Sequence, residues 1–371
     1  MQVVFVHGVN TRDPGDGSYD RWIEGRRDRL TRLAFGKNAK VHFPYWGKYG
    51  LAEKALVSIP KVKGAVEALG MAPDAASAVA DSASVVAAAK RNFPAIVASL
   101  SVEAIAEATL TKTEAERREV EDLWMAAASY AEARPVPNWL AAVRSQGELG
   151  DRIAKEVAAM RGVQALGAGW FPSLPSFDLN TVVANKVRDI AAPYLAQFLG
   201  DAMMFFARRE QSSQVRTEIS NAIVQAAAAA IEAKERLVLI GHSMGGSILH
   251  EILTDPDAVA GIERDLKQPL KVDLFLGVGT QVGLFAELRQ FSIPAGQRPL
   301  SVEVEHYWNI YDYSDTLAFL SEPVIDGTKD LEVSTAAGVA NAHTAYFDNA
   351  LFFTRLNKRL NEAGLLGDTA V

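Results

Sequence analysis

The chain has 371 residues, a net charge of −7, no cysteine, and 49% hydrophobic against 22% charged residues. That length buries a sizeable core and that balance fits a soluble globular protein, while the lack of a basic surplus argues against a nucleic-acid partner. Without cysteine there is no disulfide framework, thiolate metal site or cysteine nucleophile in this chain; no stretch is apolar for the roughly 18 residues a membrane span needs, and no signal-peptide pattern opens it, so a cytoplasmic protein is expected.

Val3–Val6 is a continuous apolar run, as expected of a strand covered on both faces in a parallel sheet. It leads into His7, Gly8, Val9 and Asn10, and then into Thr11–Ser18, whose Gly, Asp and Pro content marks a loop. Trp22, Ile23, Leu30 and Leu33 fall at helical spacing, and Lys40–Trp46 reads as a second strand with Pro44 near its end. Strand, helix, strand is the opening of a βαβ unit.

From residue 47 to 200 the chain becomes rich in alanine and helix formers, with breaks at Pro60, Gly70, Pro73, Pro94, Pro135 and Pro137. This reads as an all-helical insertion, or cap domain, separating core segments 1–46 and 201–371. Within it, Thr113–Asp122 reads as a solvated helix face. Gly167–Phe177 is apolar, aromatic and broken by Pro and Gly, which suits a loop packed on a core, or a lid or substrate-lining segment carrying Trp170 and Phe171.

Regularity returns with Asp201–Phe206 and a long helix over Ser213–Lys234, whose five alanines at 226–230 allow close approach to a sheet. Leu237–Ile240 is the third strand, and Ser247–Leu253 is helical. Val272–Val278 reads as the fourth strand and Glu303–Tyr311 as the fifth, its two glutamates placing its start near solvent or the sheet edge. The last helix runs from about Ala345 to Glu362, with Tyr346, Leu351, Leu356 and Leu360 at helical spacing.

Between the third strand and its helix stands Gly241–Gly245, a G-x-S-x-G pattern in the strand–turn–helix context that exposes a strained serine above a sheet. Ser243 is therefore the candidate nucleophile. A serine hydroxyl needs a base, and there are six histidines to weigh. His7 lies in a turn where it would brace the loop, His42 and His306 sit in strands, His250 on a helix, and His242 directly before the serine. His343 remains, in the polar stretch Asn341–Thr344 between the last strand and the last helix. Chain order selects it, because enzymes built on this motif run serine, acid, histidine. The acid follows the fifth strand: Asp315, ahead of an apolar turn able to bury it, is favoured over Asp312, which would then cap the turn. Backbone N–H groups of Met244 and Val9 are the expected oxyanion donors. His7, His242, Trp170 and Phe171 are candidates to line the substrate. No metal and no organic cofactor are called for.

The segments Val4–Gly8, Leu239–Gly246, Trp308–Asp315 and His343–Phe347 occur in the order seen in serine esterases and lipases of the α/β-hydrolase superfamily. Within it the chain resembles the bacterial lipase-like proteins with a GHS[ML]GG turn. Leu276–Thr280 also resembles the strand that often ends in Gly-Ser-Pro in these lipases, with Gln281 where proline is usual. The resemblance implies an α/β-hydrolase fold whose mostly parallel sheet is reduced from the full eight strands, plus the large helical insertion, which the resemblance does not cover. It implies hydrolysis of a carboxylic ester, lipid or phospholipid included, through an acyl-serine. A thioesterase or amidase would use the same three residues. A binding or scaffold protein on this fold is the reading from another class, and its mark would be loss of one of them. Peripheral membrane contact and oligomeric state stay open.

Overall fold

The structure, a computed structural model, describes residues 1–9, 11–50, 85–161, 198, 200–203, 205–206, 209–292, 300–335 and 337–366. Two compact units emerge: Met1–Ala55 with Gln197–Phe347 and Phe352–Val371, and Leu56–Ala196 with Asp348–Leu351. The strands are β1 (Gln2–Val6), β2 (Lys40–His42), β3 (Leu237–His242), β4 (Lys271–Val278), β5 (Glu303–Tyr311) and β6 (Thr328–Glu332). In chain order the helices are α1 (Ser18–Arg29), α2 (Val85–Arg91), α3 (Phe93–Thr111), α4 (Glu114–Ala133), α5 (Gln146–Arg161), α6 (Arg209–Ala233), α7 (Met244–Thr254), α8 (Pro256–Leu266), α9 (Val282–Glu287), α10 (Gly338–Ala345) and α11 (Ala350–Glu362).

In the first unit the six strands form one all-parallel sheet in the order β2-β1-β3-β4-β5-β6, an α/β architecture. The apolar runs of β1 and β3 are buried along almost their whole length, which only a sheet covered on both faces allows. Helices α6 and α7 both pack on β1 and β3. Ala226, Ala227 and Ala230 lie on the buried side of α6, where short side chains let the helix backbone come close. From β1 the chain steps outward to β2 and later returns to β3 on the other side of β1. The order reverses there, which makes the carboxyl ends of β1 and β3 the switch point of the sheet.

Three local expectations are corrected. The second strand stops at His42 instead of running to Trp46: Pro44 has no N–H for a ladder, and the Trp46 indole turns inward to donate to the His7 carbonyl at 2.8 Å. A sixth strand, β6, was not expected; its sequence TKDLE has no apolar run because it is the edge of the sheet and only Thr328 is buried. It pairs only with Tyr307–Tyr311, so the first half of β5, with exposed Glu303 and Glu305, borders no strand on that side. Finally, residues 338–345 form the short helix α10 where a polar loop was expected, and the last helix begins at Ala350 after a single 3-10 turn over Tyr346–Asp348. Buried Ala342 and Ala345 give α10 an inner face.

The second unit is helical where it is described. Pro94 sits in the first turn of α3, where its missing N–H costs nothing, and the Asn92 side chain caps that turn by accepting from the Ala95 N–H at 3.1 Å. A reciprocal Thr113–Glu116 capping box opens α4, which exposes its charged start and buries Leu123, Trp124, Ala127 and Ala131. Phe93 meets Tyr130 and Trp139 edge-on, and the Trp139 indole donates to the Tyr130 hydroxyl at 2.8 Å. Pro135 and Pro137 separate α4 from α5. Pro60, Gly70, Pro73 and the stretch Gly167–Phe177, with Trp170 and Phe171, lie outside the described residues. Among the described residues no helix is long and apolar enough to cross a membrane.

Candidate active site

Ser243 stands between β3 and α7 with φ 54° and ψ −130°, a left-handed backbone that an L side chain holds at a cost of about 1–3 kcal/mol. The turn that imposes it is packed backbone on backbone. A Cβ on Gly241 would lie 2.3 Å from the Gly246 Cα, and one on Gly245 would lie 2.2 Å from the Val6 carbonyl oxygen. Ladder-like bonds continue past the strand ends, from Ser243 N–H to the Val278 carbonyl (3.0 Å) and from Gly279 N–H to the Ile310 carbonyl (2.8 Å). The serine is thereby held rigidly at the carboxyl end of the sheet.

Two of the candidates converge on it. His343 Nε2 is 2.8 Å from Ser243 Oγ, and His343 Nδ1 is 2.8 Å and 3.0 Å from the two oxygens of Asp315. All three side chains are buried. With a carboxylate beside Nδ1, that nitrogen carries the hydrogen and Nε2 is left as an acceptor toward the serine hydroxyl. Burial works to raise the Asp315 pKa, but the bonds from His343, the Leu317 N–H and the Tyr346 hydroxyl outweigh it and keep the carboxyl below the ordinary aspartate value.

Asp312 is also buried but is turned away from His343. Its Oδ1 accepts from the Ser314 N–H at 2.7 Å, and its Oδ2 accepts from the Thr335 N–H and hydroxyl at 2.6 Å and 2.5 Å. It thus ties the turn after β5 to the segment after β6.

Met244 follows the serine at the start of α7, and Val9 lies in the loop after β1. Met244 opens α7, so its N–H has no carbonyl one turn back within the helix. Val9 follows Gly8, which lies so close that a Cβ there would be 2.8 Å from the Ser243 Cβ. His7 stacks on Trp46 and donates from Nδ1 to the Gly8 carbonyl (2.8 Å); burial lowers its pKa to about 4, so it is a neutral brace for this loop. His242 is half-buried. Its Nε2–H donates to the His343 backbone carbonyl at 2.9 Å, and burial, with His343 beside it, lowers its pKa to about 3. Both histidines support the loop and the base.

Sequence reasoning gave no role to Tyr346, Thr335, Thr280 or Gln281. Thr280 donates to the Asn309 side chain (2.9 Å), and the Gln281 amide donates to the Gly279 and Leu317 carbonyls, joining the turn after β4 to the turn that carries Asp315. Tyr346 was read only as part of a helical apolar stripe; its hydroxyl on an otherwise buried face was the signal available. Among the described residues no group of His, Asp and Glu has the arrangement to hold a metal ion.

Comparison with models of known protein families, with curated proteins and with solved structures finds no match to this chain.

Proposed function

We propose that the protein is a serine hydrolase of the α/β-hydrolase class that cleaves carboxylic esters through an acyl-Ser243 intermediate. The observation that carries this reading is the unbroken hydrogen-bond chain from Ser243 Oγ through the His343 ring to the Asp315 carboxylate at the carboxyl ends of the strands. As Oγ attacks the ester carbonyl, its proton passes to His343 Nε2 and the carbonyl electron pair moves onto oxygen. Collapse breaks the C–O bond, and the same proton leaves with the alcohol. Water then gives a proton to Nε2, its oxygen attacks the acyl carbon, and the acid departs as Oγ recovers the proton. Asp315 stays ionised and holds the imidazolium that forms in each half. The N–H groups of Met244 and Val9 receive the negative charge of the tetrahedral intermediate.

No metal or organic cofactor takes part in these steps. The apolar, aromatic stretch Gly167–Phe177 within the insertion favours a lipid or phospholipid ester. The test is turnover of p-nitrophenyl esters of increasing acyl length, together with labelling by a fluorophosphonate probe. Wild type is labelled and active, and Ser243→Ala is neither. Full activity in Ser243→Ala would overturn the mechanism, and indifference to acyl length would remove the lipid preference.

A further inference from the structure

Resting on that reading, we infer that Tyr346 is a positioning residue that sets the proton affinity of the Ser243–His343–Asp315 array. Tyr346 is fully buried, and its hydroxyl has two partners: it donates to Asp315 Oδ2 at 2.8 Å and accepts from the Asp312 backbone N–H at 2.9 Å. Its ring packs against Gly279, where a Cβ would come within 2.9 Å of it. The hydroxyl is therefore fixed in direction, with its hydrogen committed to the carboxylate. Asp315 Oδ1 meanwhile accepts from the Leu317 N–H at 2.9 Å. Each carboxylate oxygen thus has one donor of its own besides the shared His343 Nδ1.

A carboxylate whose charge is shared among donors is a weaker base and pulls less strongly on the proton of a neighbouring imidazole. Removing the Tyr346 hydroxyl takes away one of these donors, strengthens the hold of Asp315 on the His343 ring proton and makes the imidazolium harder to discharge. The titratable groups facing this hydroxyl are Asp312 at the end of β5, Asp315 in the following turn, His343 on α10 and His242 at the end of β3, whose ring lies 6.4 Å from that of Tyr346. Burial and the charge of Asp315 raise the Tyr346 pKa, which keeps the hydroxyl protonated as a donor throughout the working range.

The experiment is the pH dependence of kcat/KM for p-nitrophenyl acetate in wild type and Tyr346→Phe, with fluorophosphonate labelling of Ser243 measured in both. The expected result is a fall in kcat of about tenfold with KM nearly unchanged, and an acid limb moved upward by roughly half a pH unit. A role confined to packing would lower the folded fraction and leave the limb in place. Should the Phe variant fail to fold, 3-fluorotyrosine at position 346 keeps the ring and hydroxyl but donates more strongly, and the acid limb then moves down. Unmoved limbs in an enzyme still labelled at Ser243 would overturn the inference alone. Absence of labelling in wild type would overturn the hydrolase reading and the inference with it.

Discussion

Replacing Asp315 by asparagine keeps the shape of the side chain and exchanges one acceptor for an NH2 donor, so its effect follows from which side the NH2 takes. On the Oδ1 side it would face the Leu317 N–H, donor against donor, at 2.9 Å. On the Oδ2 side it faces the Tyr346 hydroxyl, which can still accept, and His343 Nδ1 at 2.8 Å. The NH2 therefore settles on the Oδ2 side and presents a hydrogen to Nδ1. That nitrogen must then accept, the ring hydrogen moves to Nε2, and Nε2 donates to Ser243 Oγ instead of taking its proton. Turnover should fall by about 10³–10⁴-fold, or about 4–5.5 kcal/mol of barrier, with the fold retained. Asp312→Asn is the control. Every partner of its two oxygens is a donor, so an NH2 on either side meets an N–H, at a cost of about 1–3 kcal/mol in stability without any change of His343 tautomer. Measured as kcat/KM per folded molecule on p-nitrophenyl acetate, Asp315→Asn should lose nearly all activity and Asp312→Asn little. The opposite ranking would refute the assignment of Asp315.

Gly245→Ala should abolish turnover and destabilise the protein by about 1–3 kcal/mol in chemical denaturation, because the new methyl would meet the carbonyl oxygens of Val6 and His7 at 2.2 Å and 2.6 Å and neither is a side chain that can rotate away; wild-type behaviour would contradict the packing described for the serine turn. Acid should weaken the fold well above the range of carboxylates. Burial lowers His7 from 6.5 to about 4 and His242 and His250 to about 3, so the unfolded chain binds more protons below pH 6.5 and stability falls as pH drops through that window toward those lower values. Between pH 7.5 and 5.5 the three together should cost about 4 kcal/mol. Urea titrations at the two pH values measure it, and His250→Asn should remove about a third of the difference; a pH-independent midpoint would show that these rings do not titrate in the unfolded chain as argued.

The parts of the fold that could be read from the sequence are those where burial writes a pattern. Val3–Val6, Leu237–Ile240 and Val272–Val278 are covered on both faces and show as apolar runs, and all three lie in the sheet. β6 is an edge, shares its backbone bonds with one neighbour and buries little, so TKDLE leaves no trace that distinguishes it from a loop. The helical form of 338–345 was hidden by its polar content and by the glycine at its start. The position of Ser243 was legible because a short G-x-S-x-G turn joins two regular elements. The choice between Asp312 and Asp315 was legible only as a preference for the one followed by an apolar turn, since both follow the same strand by a few residues. It is decided by hydrogen bonds made 23 and 28 residues further along, to Thr335 and to His343. Tyr346 escaped for a related reason: helical spacing reports that a side chain is inside, and says nothing of what its hydroxyl meets there.

This contrast separates what places Ser243 from what surrounds His343 and Asp315. Sheet order makes β1 and β3 neighbours at its reversal and brings Gly8 against Ser243, and the His7 ring and Trp46 indole brace that loop. Around Asp315 and His343, Tyr346 from the turn after α10 bonds the Asp315 carboxylate and His242 at the end of β3 bonds the His343 backbone carbonyl, while Asp312, itself held by Thr335, fixes the Tyr346 hydroxyl. Tyr346, His242, Asp312 and Thr335 come from separate segments of the chain, and the hydrogen bonds among them and to Asp315 and His343 are 2.5–2.9 Å long. Substitution of Tyr346, which bonds the Asp315 carboxylate, can therefore change the pH at which the array works while leaving the strand pattern and the serine turn untouched. That is why the pH profile of Tyr346→Phe is more informative about this site than its residual activity.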